Sequence, residues 1–139
     1  MGLSRIFWDT NLFIYLIEQT PQLHDRVYQL RQDMLARGDE LVSSTLTLAE
    51  LLTQPLRSGN HGLARRYRDI FLSGALIVVP LDTAVAELVA EIRSTYNVKT
   101  PDAIQLASAA YMKVAAFYTS DRTLWRKKIR GIENIVWLE

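Results

Sequence analysis

At 139 residues the chain is the size of one domain and can bury a core without covalent staples, and its lack of cysteine excludes both a disulfide framework and a thiolate metal site. Sixteen lysines and arginines against fifteen acids leave a net charge of +1, too close to balance to indicate a partner, and a hydrophobic content of 49% argues against disorder. No apolar run reaches bilayer-spanning length, Phe71 to Pro80 being short and interrupted by Ser73 and Gly74, and the N-terminus lacks a cleavage pattern, so a cytoplasmic protein with no signal peptide and no membrane partner is expected.

Ile6-Phe7-Trp8 reads as a buried strand ending at Asp9. Asn11 to Glu18 follows as a helix, and after Pro21 a second helix runs from Gln22 to Arg37, with Leu23, Val27, Leu30 and Met34 at helical spacing and Gly38 as its stop. Leu41-Val42-Ser43 is the second strand. Leu46 to Leu56 is helical with Pro55 marking its end, Gly59 to Gly62 is a turn, and Leu63 to Leu72 is helical again. Ala75 to Val79, β-branched and bounded by Gly74 and Pro80, is the clearest strand. Helices are expected over Thr83 to Tyr96 and over the alanine-rich Pro101 to Met112. A strand over Ala115 to Thr119, a short helix near Asp121 and a last strand over Ile135 to Leu138 complete the pattern. Strands and helices alternate throughout with no repeat or linker. This predicts a single domain over 1–139, a three-layer α/β/α sandwich with a mainly parallel sheet.

Four acids fall where such a sheet builds its sites, outside the carboxyl ends of the strands. Asp9 follows the first strand, Glu50 lies in the helix after the second, Asp102 is in the first turn of its helix, and Asp121 follows the strand that ends at Thr119. Each has an ordinary local explanation. Thr47 and Glu50 fit a capping box, Thr100-Pro101-Asp102 fits an N-cap with proline and a dipole-matched acid, and Asp9 and Asp121 can cap the helices after them. Together they point further. Ionised carboxylates beside apolar strands are costly unless paired, and no Lys or Arg adjoins Asp9 or Asp102 in the pattern. A hard divalent cation relieves the repulsion among such oxygens, and Mg²⁺ suits them. It can polarise a phosphodiester and activate a water for in-line attack. His24 and His61 are isolated and read as exposed, so no zinc pair is present, and there is no phosphate-binding glycine loop or serine elbow.

At these residues the chain resembles the PIN-domain nucleases, in particular the VapC-like toxins of bacterial and archaeal toxin–antitoxin pairs. The resemblance rests on Asp9-Thr10-Asn11 after an apolar strand, Ser44 to Leu51 around Glu50, Thr100 to Ala107 around Asp102, and Thr119-Ser120-Asp121-Arg122, in order along nearly the whole chain. It implies a five-stranded parallel sheet, one or two Mg²⁺ or Mn²⁺ ions at Asp9, Glu50, Asp102 and Asp121, and endonucleolytic cleavage of RNA. It also implies that Asn11 orients Asp9 or a metal-bound water, that Thr119 helps hold the site, and that the chain forms a homodimer inhibited by a cognate antitoxin. Thr123 stands where many relatives carry another acid.

On this reading Asp9 and Asp102 are direct ligands, and Glu50 and Asp121 complete the cluster directly or through water. A metal-activated water then cleaves the RNA phosphodiester. The basic segment with Arg122, Arg126, Lys127, Lys128 and Arg130 is the expected RNA-backbone contact, although a charge run alone is more often a solvated face. A second basic group is Arg57, Arg65, Arg66 and Arg68. Trp8 and Trp125 are expected to pack in the core rather than to stack on bases. The main rival is a catalytically silent module of the same fold that binds RNA or protein. A phosphoryl-accepting receiver domain would need an early acidic pair and a late strand-end lysine, which this chain lacks. A duplex-gripping deoxyribonuclease would need elements for which there is little room.

Overall fold

In the computed structural model, which describes residues 3–138, five strands form one parallel sheet. They are β1 (Arg5–Trp8), β2 (Glu40–Ser44), β3 (Ile77–Val79), β4 (Ala116–Thr119) and β5 (Asn134–Trp137). Their order across the sheet is β3-β2-β1-β4-β5. Six helices connect them: α1 (Thr10–Ile17), α2 (Leu23–Arg37), α3 (Thr45–Ser58), α4 (His61–Leu72), α5 (Thr83–Thr95) and α6 (Thr100–Tyr111), with a 3-10 helix at Arg122–Leu124.

The side-chain period of two along β1 divides the core. Ile6 and Trp8 point to one face, where they pack with Leu12 and Phe13 of α1, Val27 and Met34 of α2, Leu51 of α3, and Tyr67 and Phe71 of α4. Phe7 points to the other face, where it stacks on Phe117 at a ring separation of 5.0 Å and packs against α5 and α6. Both faces of the sheet are therefore covered, as a parallel sheet requires. The expected three-layer sandwich is observed, and every strand pairing is parallel.

The boundaries depart from expectation where capping decides them. Pro55 does not end α3. It is buried in the last turn, and the helix continues to Ser58, where Gly59 takes a left-handed φ of 75°. The expected turn at Gly59 to Gly62 is shorter, because Asn60 accepts the Leu63 N–H at 3.1 Å and α4 starts at His61. Thr100 does not cap α6; the cap is Lys99, without a side-chain bond, and Thr100 is already helical. His24 is only partly exposed, stacked on Tyr28 with Nδ1 3.3 Å from Asp25.

The topology fixes where a site can form. From β1 the chain builds outward through β2 to β3, then crosses to β4 on the other side of β1 and on to β5. The strand order reverses between β1 and β4, and in open parallel sheets it is beyond the carboxyl ends at such a reversal that sites form.

Candidate active site

Asp9 stands at the end of β1, beside that reversal. Its Oδ1 accepts the Thr10 backbone N–H at 2.8 Å, which makes it the N-cap of α1. Its Oδ2 accepts the Thr119 hydroxyl at 2.9 Å, from the end of β4. Thr119 Oγ1 in turn accepts the Asp121 backbone N–H at 3.0 Å, so one hydroxyl ties two of the four acids together. Burial pushes the Asp9 carboxyl above the usual carboxylate range, the field of Glu50 adds to this, and the hydrogen bonds from Thr10, Thr119 and Gln105 oppose it.

Asp102, half-buried in the first turn of α6, is also held above the usual range. Burial is the main cause; the fields of Asp121 and Asp9 follow, and Lys99 offsets part of them. Glu50 does not form the capping box that its spacing with Thr47 allows. Ser44 caps α3 by accepting the Thr47 N–H at 3.2 Å, and Glu50 accepts the Thr10 hydroxyl from α1 instead. Asp121 caps the 3-10 helix: its Oδ1 accepts the Thr123 N–H at 2.9 Å and the Thr123 hydroxyl at 2.6 Å. Asn11 donates to Ser120 Oγ at 2.7 Å, linking α1 to the segment after β4.

All four acids thus sit at one edge of the sheet, where Asp9 feels the field of Glu50, and Asp102 those of Asp121 and Asp9. Among the described residues, the ion pairs are Arg5 with Glu40, His24 with Asp25 and Arg37 with Asp39, and none of them neutralises a member of the group. Among the same residues, no three His, Cys, Asp or Glu side chains are gathered closely enough to hold an ion by direct ligation as they stand.

Four polar residues that the sequence reading gave no part in the site belong to this edge: Thr10, Ser44, Gln105, and Thr47, which was read only as a helix cap. Gln105 is 3% exposed; its Nε2 lies 2.7 Å from Thr47 Oγ1, 3.3 Å from Asp9 Oδ1 and 3.4 Å from Thr10 Oγ1, and its Oε1 accepts the Ser44 hydroxyl. The sequence did carry a signal, a lone amide in the apolar run Ala103-Ile104-Gln105-Leu106-Ala107, one turn beyond Asp102.

The basic segment lies beside β5, where a groove of about 700 Å³ is bounded by Trp125, Arg126, Lys127, Lys128, Arg130 and Ile135. Two of its cations lie on indoles. The Arg122 guanidinium is 5.2 Å from the Trp137 ring, that of Arg126 is 5.0 Å from Trp125, and the two indoles are 5.6 Å apart. The Trp137 indole N–H donates to the Ser120 carbonyl at 3.3 Å, so this stack abuts the residue before Asp121. Trp8 is fully buried, in edge contact with Phe13, whereas Trp125 is only partly buried and belongs to the surface stack rather than the core. The second basic group, Arg57, Arg65, Arg66 and Arg68, is exposed on α3 and α4. A larger cleft of about 970 Å³ lies between α5, the end of α6 and the turn at Gly131, and none of the four acids lines it.

The PIN domain profile matches residues 6–129, and the chain belongs to the PIN domain family. Among curated proteins none matches it. Among solved structures it is similar to VapBC2 from Rickettsia felis, solved with a fragment of promoter DNA, with a TM-score of 0.75 and 19% identity over 97% of this chain and 99% of that one. It is similar to VapC20 of Mycobacterium tuberculosis, a toxin that cleaves the sarcin-ricin loop, with a TM-score of 0.69 and 21% identity over 84% and 90%. VapBC from Salmonella typhimurium, bound to DNA, gives a TM-score of 0.63 and 23% identity over 98% and 99%. At these identities the likeness is one of fold, and the fold is VapC-like.

Proposed function

We propose that this chain is a divalent-cation-dependent endoribonuclease, the toxin of a toxin–antitoxin pair, with Asp9, Glu50, Asp102 and Asp121 as its active centre. The observation that carries the reading is the convergence on one sheet edge of four carboxylates, none in an ion pair, with Asp9 and Asp102 held above the usual carboxylate range by burial and by the fields of their acidic neighbours. The donors fit Mg²⁺ or Mn²⁺: all are hard oxygens, and an ion that keeps several of its waters needs only one or two of them directly. Such an ion, when bound, supplies Lewis-acid polarisation of the scissile phosphate and neutralises charge that builds up in the transition state. Asp9 and Asp102 would hold it, with Glu50 and Asp121 completing the site directly or through water. Because Oδ1 of Asp121 is already engaged by Thr123, we propose one ion rather than two.

The chain's own residues do the rest. Thr119 and the Thr10 N–H fix the Asp9 carboxylate, and either Glu50 or Asp121 can take the proton from the attacking water. Asn11 braces the loop after β4 through Ser120. Arg122, Arg126, Lys127 and Lys128 would meet the RNA backbone. A cognate antitoxin is proposed because the structures similar in fold include VapBC pairs and a toxin–antitoxin complex from Klebsiella pneumoniae; a homodimer is proposed with it.

The test is incubation of the chain and Asp9→Asn with total cellular RNA, with Mg²⁺ or Mn²⁺ and with chelator, alongside a Mn²⁺ titration. Discrete fragments that need both Asp9 and the cation, with one ion bound per chain, are expected. Fragments at the wild-type rate from Asp9→Asn would sink the assignment, and absence of any cation binding would favour the silent binding module.

A further inference from the structure

Gln105 is buried on α6 with four polar neighbours drawn from three other segments: Ser44 ending β2, Thr47 in α3, and Asp9 and Thr10 at the start of α1. The orientation of its amide follows from its neighbours, since an ionised Asp9 carboxylate can only accept and so favours Nε2 on its side. Ser44 Oγ accepts the Thr47 N–H as the cap of α3, so its single proton is free to go to Gln105 Oε1. That leaves Nε2, with its two protons, facing Thr47 Oγ1 at 2.7 Å and the pair Asp9 Oδ1 and Thr10 Oγ1 at 3.3 and 3.4 Å. The first contact is tight and the other two share one proton at long range, a geometry that can shorten when the carboxylate is pulled into position. Thr10 also donates to Glu50. One neutral amide therefore touches one acid of the centre and the hydroxyl that holds a second.

We propose that Gln105 is a positioning residue, whose buried amide aims Asp9 Oδ1 and, through Thr10, Glu50 toward the divalent cation. The inference rests on the proposed nuclease centre and adds to it a residue that touches neither substrate nor cation. A carboxamide suits the place because it donates to a carboxylate without bringing charge. A glutamate there would add a fifth carboxylate to the group, directly against Asp9, and lose the donor to Thr47, and a methionine would fill the volume and donate nothing.

The test compares wild type, Gln105→Met and Gln105→Glu in three measurements. The first is the ¹⁵N–¹H spectrum of the cation-free chain. The Gln105 side-chain pair, identified by its loss in Gln105→Met, should be protected from exchange and should shift in Asp9→Asn. The second is Mn²⁺ affinity, expected to fall about tenfold in Gln105→Met and further in Gln105→Glu, the scale on which outer partners of metal ligands act. The third is steady-state RNA cleavage at saturating Mn²⁺, with kcat per folded chain, the folded fraction being counted from the same ¹⁵N–¹H spectra, down about tenfold in Gln105→Met and KM within about twofold; a loss of stability alone would leave kcat per folded chain at the wild-type value. Wild-type Mn²⁺ affinity and kcat in a folded Gln105→Met would overturn the proposal, as would a Gln105 signal indifferent to Asp9→Asn. A wild-type chain that binds Mn²⁺ in a Gln105-dependent way but cleaves no RNA would support the positioning role and count against the ribonuclease reading alone.

Discussion

Asp9 carries three jobs on one carboxylate. It caps α1, it receives the Thr119 hydroxyl that ties β4 to β1, and it belongs to the acidic group. The first two stabilise the ionised form, yet burial and Glu50 outweigh them and the carboxyl is shifted up. The sign of the consequence follows from linkage. A group whose folded pKa is raised adds stability below its unfolded pKa and loses that contribution as pH rises through the folded value. Without cation, the contributions of Asp9 and Asp102 should therefore decline as pH rises from about 4 toward neutrality. Asp9→Asn in chelator should melt above wild type at pH 7.5, by a few degrees at most, and the gap should close toward pH 4. Thermal melts across that range check it; a gap that widens on acidification would contradict the burial argument. The positions of Asp9, Asp102 and Asp121 were legible in the sequence because each follows a strand or opens a helix, whereas Glu50 lies inside its helix, more than a turn beyond the cap at Ser44. The hydrogen-bond partners of the four acids were not legible. Glu50 was equally well placed for a capping box, and only the cap at Ser44 and the approach of Thr10 from α1 decide against it.

At the scale of elements, local signals served well where one residue type dictates the backbone, as with Gly38 after α2 and the β-branched Ile77–Val79 of β3, but the strand does not extend back to Ala75 as expected, since Ala75 and Leu76, neither of them β-branched, lie in the bend before it. They misled where a cap outweighs a breaker. Pro55 forfeits one hydrogen bond but remains in α3 because its ring is buried and Gly59 ends the helix in left-handed geometry. The turn before β5 shows a second constraint absent from any local pattern. Gly131 has φ of 95°, and a Cβ there would come within 2.8 Å of the Ala110 carbonyl oxygen and 3.1 Å of the Ala110 Cα, both backbone atoms at the end of α6. Gly131→Ala should cost about 1–3 kcal/mol from the backbone conformation alone, with the clash added to it. Urea unfolding measures this, and an unchanged midpoint would mean that α6 and the turn can separate freely. Because this turn leads into β5, whose Trp137 bonds to Ser120, its loss should also loosen the loop that carries Asp121.

At the scale of the whole molecule, alternation of strands and helices predicts a layered parallel sheet but not the strand order, since the side of β1 on which β4 docks depends on contacts more than a hundred residues apart. The order β3-β2-β1-β4-β5 is what sets Asp9 beside Thr119 and Asp121. The basic groove is another whole-molecule property, because the run of cations acquires direction only when folded against β5 and the Trp125–Trp137 pair. Reversing Arg126, Lys127 and Lys128 to glutamate together should weaken RNA binding and lower the magnitude of the log–log salt slope by roughly 2, near the value for three single-strand phosphate contacts. Binding to the Asp9→Asn chain, in chelator and over a range of salt, reads this directly. An unchanged slope would return the segment to a solvated surface.

The placement of β4 has a consequence for how the protein comes to exist. Synthesis delivers Asp9 first, then Glu50 and Asp102, and only then the strand that fits against β1 and brings Thr119 and Asp121 to the same edge. Loop-closure entropy makes so distant a pairing late in folding as well as late in translation. A half-made chain on the ribosome therefore has its acids scattered and their shared edge unbuilt. If the centre cuts RNA, a nascent copy cannot attack the machinery translating it, and there is an interval before β4 docks in which another protein can reach the chain while it is still harmless.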